Sequence, residues 1–221
     1  MKSDAVNGER LKHCQDPANV RRLKASMSKE LKKISDVKLF GKWPTSGLEA
    51  EDPGLKRYIS SRPYLIPHTS GRHEHQRFKK STINIVERLI NNMMRPGQSG
   101  GSNARATSIV ENALDLMAIR TGKNPVELLI RAIENAAPAE DVTRIAYGGI
   151  VYPISIDIAP QRRVDIALRH ISDAARAISH NNPRTIDESL ADELVLAAAR
   201  DPKSQSVRKR DEIERIALAS R

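Results

Sequence analysis

The sequence predicts a mainly α-helical protein: a bundle of about six helices with one projecting β-hairpin and a basic N-terminal extension. From Ser81 onward, apolar residues recur at helical spacing between capping motifs. One segment instead alternates with the period of two that is typical of strands, and it places the hairpin at residues 141–158. We therefore divide the chain into a partly irregular extension over residues 1–80 and a helical core over residues 81–221.

The net charge of +10 is concentrated in the extension. Residues 1–80 carry 18 Lys or Arg and 9 Asp or Glu, whereas residues 81–221 carry 19 and 18. This excess indicates a nucleic acid or an anionic membrane surface as partner, since neutralising phosphates releases condensed counterions. Residues 17–34 fit either a basic amphipathic helix or an arm that is disordered until it binds. Scattered Gly and Pro over residues 35–80 indicate a clamp-like extension rather than a second core.

Several classes of protein are excluded by the composition. No apolar run approaches the roughly 20 residues of a membrane-spanning helix, and the first residues are too polar for a secretory signal. The single cysteine, Cys14, excludes an intramolecular disulfide framework and a multi-cysteine zinc site. We therefore expect a cytosolic protein with no membrane partner and no cofactor.

Apolar stripes and capping residues place the core helices in order. Ile85, Leu89 and Met93 form the stripe of the first helix, which Pro96 and Gly97 end. The signals for later helices are a C-cap at Gly122, an N-cap with a first-turn proline at Asn124 and Pro125, a helix start at Pro160, and a capping box at Thr185 and Glu188. The predicted helices cover residues 81–95, 104–120, a segment from 125, 160–178, 186–200 and 206–219.

The hairpin signal is two β-rich arms around a glycine pair. Gly148 and Gly149 supply the positive φ angles of a two-residue turn, and Pro153 is tolerable because a lone hairpin has only edge strands. Alternation then gives one face Ile145, Tyr147, Ile150, Tyr152, Ile154 and Ile156, and the other Arg144, Ala146, Val151 and Ser155. Because two strands alone are marginal, we expect the base of the apolar face to pack on helices and the tip to be free for contact.

Several motifs in this order resemble ribosomal protein S-seven of the small subunit, in its archaeal and eukaryotic branch. They are IVERL at 85–89, NPVELLIRAIENAAPAEDVTRI at 124–145, GGIVYPISIDIAPQRRVDIAL at 148–168, LADEL at 190–194, VRKRDEIERIA at 207–217, and upstream KLFGKW, LKRYI and PHTSGR. The resemblance covers Lys38 to the C-terminus. It implies a non-enzymatic, primary ribosomal RNA-binding protein that nucleates assembly of the head, the 3′ major domain. Small-subunit ribosomal RNA and neighbouring small-subunit ribosomal proteins are the implied partners.

The resemblance also assigns roles to the hairpin. It places the tip near exit-site tRNA and the mRNA exit path, and it gives the flanking arginines to ribosomal RNA. The tip residues are Tyr147, Gly148, Gly149 and Ile150, and the flanking arginines are Arg144, Arg162 and Arg163. The residues themselves agree, since Arg162 and Arg163 lie in the first turn of a helix, where the dipole disfavours cations and a phosphate partner would explain them. A solvated charged turn is the alternative.

Other basic residues are candidates for phosphate contact. One group interleaves with Phe78, and another starts the last helix, where local salt bridges are an alternative. The loop at 97–103 lacks the lysines common in bacterial members of the family, so the arginines at its edges are the better candidates there. The further candidates for RNA binding are Arg72, Arg77, Lys79, Lys80, Arg95, Arg105, Arg208, Lys209 and Arg210. With aromatic residues at 3%, we expect recognition of RNA shape, phosphates and sugar hydroxyls rather than bases stacked on a sheet.

Two other functions stay open on the residues alone. A non-ribosomal architectural nucleic-acid binder would carry the same charge without the ordered motifs. Acidic Asp187, Glu188, Asp192 and Glu193 would suit a hydrolase or nuclease, but a capping box with a solvated surface explains them better.

A metal site near the extension is the remaining alternative. His68, His73 and His75 lie close together in the sequence. No thiolate accompanies them, and Arg72 would repel a cation. We therefore expect no metal site.

Overall fold

The computed structural model describes residues 37–71, 76–94 and 101–221, in which seven α-helices and two small antiparallel sheets form. The predicted mainly α fold with one hairpin is confirmed. In chain order the elements are β1 (Lys38–Leu39), β2 (Trp43–Pro44), α1 (Pro53–Lys56), a 3₁₀ helix (Lys79–Thr82), α2 (Ile85–Met93), α3 (Asn103–Thr121), α4 (Pro125–Ala136), β3 (Glu140–Tyr147), β4 (Ile150–Asp157), α5 (Pro160–Ser179), α6 (Ile186–Ala198) and α7 (Gln205–Ala219).

The predicted caps at Gly122, Asn124 and Thr185 lie at helix ends, whereas Pro96 and Gly97, predicted to end the first core helix, lie outside the described residues. The Asn124 side chain accepts from the Val126 amide at 3.1 Å, and the Thr185 hydroxyl accepts from the Glu188 amide at 3.3 Å. Gly122 ends α3 with φ at +65°, a conformation that glycine adopts without a Cβ clash. Helix α6 stops at Ala198 rather than near residue 200, and Arg200 beyond it has φ at +54°. These local signals are why helix positions follow from sequence.

The core lies around α6, against which α3, α4 and α5 all pack. Its inward face consists of Leu190, Ala191, Leu194 and Ala197, each fully buried. The two alanines let neighbouring helices approach closely, and the leucines supply apolar area worth about 1.5–3 kcal/mol each. Six core helices, α2 to α7, thus match the predicted number.

The extension packs onto this core in its described part. Leu39, Leu55 and Ile59 are buried in the same cluster as the core helices. The Arg88 side chain, 1% exposed, fastens the extension by donating to the Tyr58 carbonyl at 3.0 Å and to Asp165 Oδ1 at 2.9 Å. The predicted boundary at residue 80 stays a prediction, but these contacts tie its two sides together.

The hairpin has the predicted turn and register. Tyr147 pairs with Ile150 across the turn, and Ile145 pairs with Tyr152. Gly148 and Gly149 have φ of +57° and +83°, which only glycine adopts without strain at both positions of such a turn.

The packing of the hairpin base was predicted wrongly. Ile154 and Ile156, near the base on the apolar face, are 43% and 45% exposed, whereas Val142 and Ser155 of the opposite face are half-buried. Helix α7 contacts both strands and anchors the base through polar groups. Glu214 Oε1 accepts from the Ala139 amide at 3.0 Å, and Arg221 pairs with Glu140. Apolar burial at the base is thus confined to Ile158, 8% exposed, and half-buried Val142, while polar groups supply the anchor and the face from Ile154 to Ile156 stays open.

Candidate nucleic-acid interface

The hairpin presents its turn glycines and most of its apolar face to solvent. Ile150 beside the turn is 59% exposed, and Ile145, Tyr152, Ile154 and Ile156 form an exposed apolar stripe behind it. A contiguous exposed apolar stripe marks a surface that a partner covers. The backbone thus carries the predicted tip to the free end of the hairpin.

The three arginines that flank the hairpin lie in different environments. Arg144 is exposed on β3 and has no side-chain partner in the described ranges. Arg162 is also exposed and makes a loose ion pair with Asp141 at 3.5 Å. Arg163 points inward, where Nε donates to the Pro138 carbonyl at 3.1 Å and Nη1 lies 3.4 Å from Asp52. Internal partners therefore explain Arg163, whereas Arg144 and the loosely paired Arg162 present their charge to solvent.

The segment before α2 carries a second basic group. Lys79 is exposed and has no partner in the part of the chain that is described. Lys80 shares Asp165 with Arg88, at 2.9 Å. Arg77 lies over the Phe78 ring, 5.2 Å from its centroid. Charge available to a phosphate is thus concentrated at Arg77 and Lys79.

A polar groove that sequence reasoning missed adjoins this segment. Two cavities of about 420 and 440 Å³ share Arg62 and Thr82 in their walls. Arg57 lines the first, and His68 and Lys79 line the second. Neither Arg57 nor Arg62 has a side-chain partner among the described residues.

The start of α2 holds the groove together. The Asn84 side chain donates to the Arg62 carbonyl at 2.7 Å, and the Ile85 amide donates to the Ser60 carbonyl at 3.0 Å. In sequence, Arg57 follows Lys56 and Arg62 stands alone, so only a pair of adjacent cations, and no longer charge run, marked this stretch. The overall basic excess of the extension was the only signal available.

The basic residues at the start of α7 are mostly engaged within the chain. Arg210, with its side chain 9% exposed, donates to the Asn135 carbonyl at 2.6 Å and to Asp211 at 2.9 Å. Arg208 is exposed and donates to the Pro202 carbonyl at 2.6 Å. Lys209 is half-buried beside His170. The pKa of that histidine is lowered mainly by its burial and, second, by the positive charge of Lys209.

The remaining predicted RNA-binding residues are scattered. Arg105 is exposed near the start of α3 without a side-chain partner in the described segments. Arg72 and Arg95 lie outside the described residues, so their predicted contacts stay predictions.

The acidic residues weighed as a nuclease site have structural roles. Glu193 is buried and accepts from Ser204 and Ser206 at the start of α7. Asp192 pairs with Arg120 and Arg184, and Asp187 accepts from the Asn112 side chain at 2.9 Å. Each carboxylate that would have to act on a substrate is thus engaged by the fold, apart from Glu188 in its capping box.

Metal and membrane sites find no support in the described part of the chain. Residues 37–71, 76–94 and 101–221 contain no group of three His, Cys, Asp or Glu side chains arranged to hold a metal ion. His73 and His75 of the predicted histidine cluster lie outside these ranges. No helix within them is both long and apolar enough to cross a membrane.

A cavity of about 760 Å³ lies elsewhere and is mainly apolar. It lies between Trp43, Pro44 and Ile119, near the start of α4, whereas the hairpin follows the end of that helix. Lys42 at its rim donates to Asp115 at 2.6 Å, and this hydrogen bond raises the pKa of Lys42. Lys42 is thus paired, and exposed Lys123, which also lines the cavity, has no side-chain partner among the described residues, so this mainly apolar cavity carries less free positive charge than the groove.

Comparison with known proteins identifies the family to which this basic chain belongs. Residues 55–221 match the family model described as ribosomal protein S7p/S5e. The chain is 48% identical over 184 residues to the small ribosomal subunit protein uS7 of Methanococcoides burtonii, an alignment that covers 83% of this chain and 99% of that protein. The chain therefore belongs to the ribosomal protein S7p/S5e family and is a protein of the small ribosomal subunit.

Proposed function

We propose that the chain is a primary ribosomal RNA-binding protein of the small-subunit head and that it nucleates folding of the 3′ major domain. The observation that carries this proposal is the exposed hairpin with unpaired Arg144 and loosely paired Arg162 at its sides. Exposed arginines without strong internal partners gain most from phosphate, because little existing pairing is lost. Family membership supports a structural role in translation rather than catalysis.

The hairpin tip has a second proposed role. We place Tyr147, Gly148, Gly149 and Ile150 near exit-site tRNA and the mRNA exit path, with the apolar face of the hairpin toward neighbouring small-subunit proteins. Support comes from the exposure of Ile150 and of the apolar stripe behind it. The protein would act in the cytoplasm, within the assembled subunit.

The first experiment measures binding of the full chain to the transcribed 3′ major domain and to a size-matched unrelated RNA across a salt series. We expect a preference for the 3′ major domain that persists at moderate salt. Equal binding to both RNAs at every salt concentration would contradict the proposal and leave a non-specific basic binder.

Arginine variants then test the contact surface. Arg162→Ala should weaken binding by about 1–2 kcal/mol and make the salt slope shallower by about 0.7–0.9, since one phosphate contact is lost. Lys123→Ala removes an equal charge at the other end of α4 and should leave both quantities unchanged. Arg163→Ala should instead lower the midpoint of urea unfolding, because Asp52 and the Pro138 carbonyl lose their partner. A salt slope unchanged in Arg162→Ala would remove that residue from the interface.

Removing the hairpin tip separates the two proposed roles. Deletion of residues 147–150, with the arms rejoined by a two-residue turn, should spare affinity for the 3′ major domain. Subunits that carry this variant should lose exit-site tRNA occupancy or reading-frame maintenance. Normal values of both in purified ribosomes would contradict the role of the tip.

A further inference from the structure

Phe78 is held in a conformation that is costly for its residue type. Its φ is +61° and its ψ is 0°, in the left-handed region that bulky side chains rarely adopt. The ring is nevertheless 57% exposed and so gains little from burial. An exposed aromatic residue in a strained backbone conformation points to a function outside the core.

Local contacts fix this conformation in place. The Phe78 carbonyl accepts from the Ser81 amide at 3.1 Å and from the Ser81 hydroxyl at 2.8 Å. The Arg77 guanidinium lies 5.2 Å from the ring centroid and covers part of the ring. The ring is therefore presented by a pinned turn with a cation beside it.

The basic groove begins at the next residue. Lys79 follows Phe78 directly and lines the same cavity as Arg62 and Tyr64, which is also exposed. Thr82 lies in the wall shared with the neighbouring cavity, and its hydroxyl donates to the Lys79 carbonyl at 2.8 Å. Two cations and the Tyr64 ring thus line one cavity, and Phe78, one of only two phenylalanines, adjoins it in the chain through Lys79.

We propose that Phe78 stacks against an unpaired RNA base while Arg62 and Lys79 hold phosphates of the same strand. The inference rests on the proposed ribosomal RNA binding and names the kind of RNA that this surface takes. Proteins that bind single strands combine a positive groove for the backbone with aromatic rings for the bases, and this surface has both. It lies in the extension, apart from the hairpin.

A single strand fits this surface better than a duplex or a protein. A base can lie flat on Phe78 only when it is not paired and stacked within a helix, and the groove cavities of about 420 and 440 Å³ have the size of small-ligand sites. An apolar protein segment would place Arg62 and Lys79 against groups that cannot satisfy them. A phosphodiester strand satisfies both cations.

The test compares stacking variants of the full chain on two probes, a short uridine oligonucleotide and a short RNA duplex. Phe78→Ala should weaken oligonucleotide binding between about fivefold and 150-fold, the range for loss of one stacked base, and leave duplex binding within a factor of about two. Phe78→Trp keeps a stacking surface and should bind like the parent chain. Ile119→Ala removes an exposed apolar side chain elsewhere, 81% exposed, and should change neither affinity.

Phe78→Gly separates binding from folding. Glycine relieves the backbone strain, so this variant should unfold at higher urea than Phe78→Ala while binding the oligonucleotide as weakly. Parent-like binding by Phe78→Ala, or an equal loss on the duplex, would overturn the inference. If the parent chain shows no preference for the 3′ major domain, the proposed ribosomal function is overturned instead. The oligonucleotide comparison is a separate measurement and does not depend on that preference.

A photo-crosslinking residue at position 78 gives a direct readout in the complex with the 3′ major domain. We expect crosslinks to nucleotides that chemical probing of the same RNA finds unpaired. Crosslinks confined to paired nucleotides, or to a protein in assembled subunits, would overturn the assignment.

Discussion

Four arginines in the described part of this basic chain are directed into the fold. Each donates to a backbone carbonyl and lies close to a carboxylate, and each side chain is at most one-fifth exposed: Arg88, Arg163, Arg176 and Arg210. Arg162 precedes Arg163 in the chain but faces solvent. Side chains of adjacent residues on a helix point about 100° apart, so two neighbouring arginines face different surroundings. The packing of neighbouring elements decides which of the two faces solvent.

His170 is a residue whose environment opposes its charge. It lies half-buried on α5, with Nε2 lacking a partner among the described residues, and burial is the main cause of its lowered pKa. The charges of Lys209 on α7 and of Arg169 act in the same direction, whereas Asp173 opposes them. As the pH falls, the His170 imidazole is therefore protonated in the unfolded chain at a higher pH than in the folded chain.

The free energy of unfolding should decrease as the pH drops below about 6.5, the ordinary histidine pKa, and should keep decreasing until the folded form titrates at its lower pKa. His170→Gln should reduce the loss of stability between neutral pH and pH 5, measured by urea unfolding. His180→Gln removes an exposed histidine and should retain most of that loss. An identical pH dependence in His170→Gln and the parent chain would contradict the assignment.

The start of helix α7 depends on a buried carboxylate from another helix. Glu193 of α6 accepts from the Ser206 amide at 2.9 Å and from the hydroxyls of Ser204 and Ser206 at 2.6 and 2.7 Å. A negative charge at a helix N-terminus is favourable, and the hydroxyl donors satisfy its remaining lone pairs. Because α7 also anchors the hairpin base, this carboxylate connects the core to the projecting element.

Glu193→Gln should destabilise the chain by about 1–3 kcal/mol, since the negative charge at the start of α7 is lost. If the amide oxygen keeps the three donors to Oε1, the new NH2 group faces the Gln205 amide, which donates to Oε2 at 3.3 Å. The matched variant Asp192→Asn changes a partly exposed carboxylate next to it and should cost less than about 1 kcal/mol. Urea unfolding gives both values, and hydrogen exchange should show faster exchange in α7 for Glu193→Gln. Equal costs in the two variants would show that Glu193 has no special role.

At the scale of the molecule, the described extension and the helical core share one interior. Leu39 and Leu55 are fully buried in the cluster that also contains Leu190 and Leu194 of α6. Trp43, the only tryptophan, packs against the same cluster and reports on the extension alone. The two parts should therefore unfold together.

We expect the urea transitions of Trp43 fluorescence and of far-ultraviolet circular dichroism to coincide. Leu55→Ala should lower both midpoints equally, by about 2–5 kcal/mol in stability, while Leu65→Ala, at an exposed position, should lower neither by more than about 0.5 kcal/mol. Loss of the fluorescence signal at lower urea than the helical signal would instead support two separate units.

Local patterns predicted most of the fold. Caps such as Asn124 and Thr185, the turn at Gly148 and the two faces of the hairpin depend on residues close in sequence, and all were found where expected. The face that supports the hairpin and the groove around Arg62 depend on contacts between distant segments. No periodicity encodes such contacts, so these two features required the structure.

The edges of the hairpin have a consequence for the chain before it meets its partners. Tyr147 and Ile150 flank the turn as a hydrogen-bonded pair, and hydrogen-bonded and non-hydrogen-bonded pairs alternate from there along the two strands. Arg144 and Pro153, three pairs further, are therefore a non-hydrogen-bonded pair, and their backbone N–H and C=O positions face away from the partner strand. Pro153 offers no N–H to an incoming strand, and on the other edge the outward amide of Val142 is taken by Asp141 at 2.8 Å. Before a newly synthesised copy binds its partners, its apolar stripe is exposed. Its strand edges nevertheless resist pairing with the strand edges of other copies.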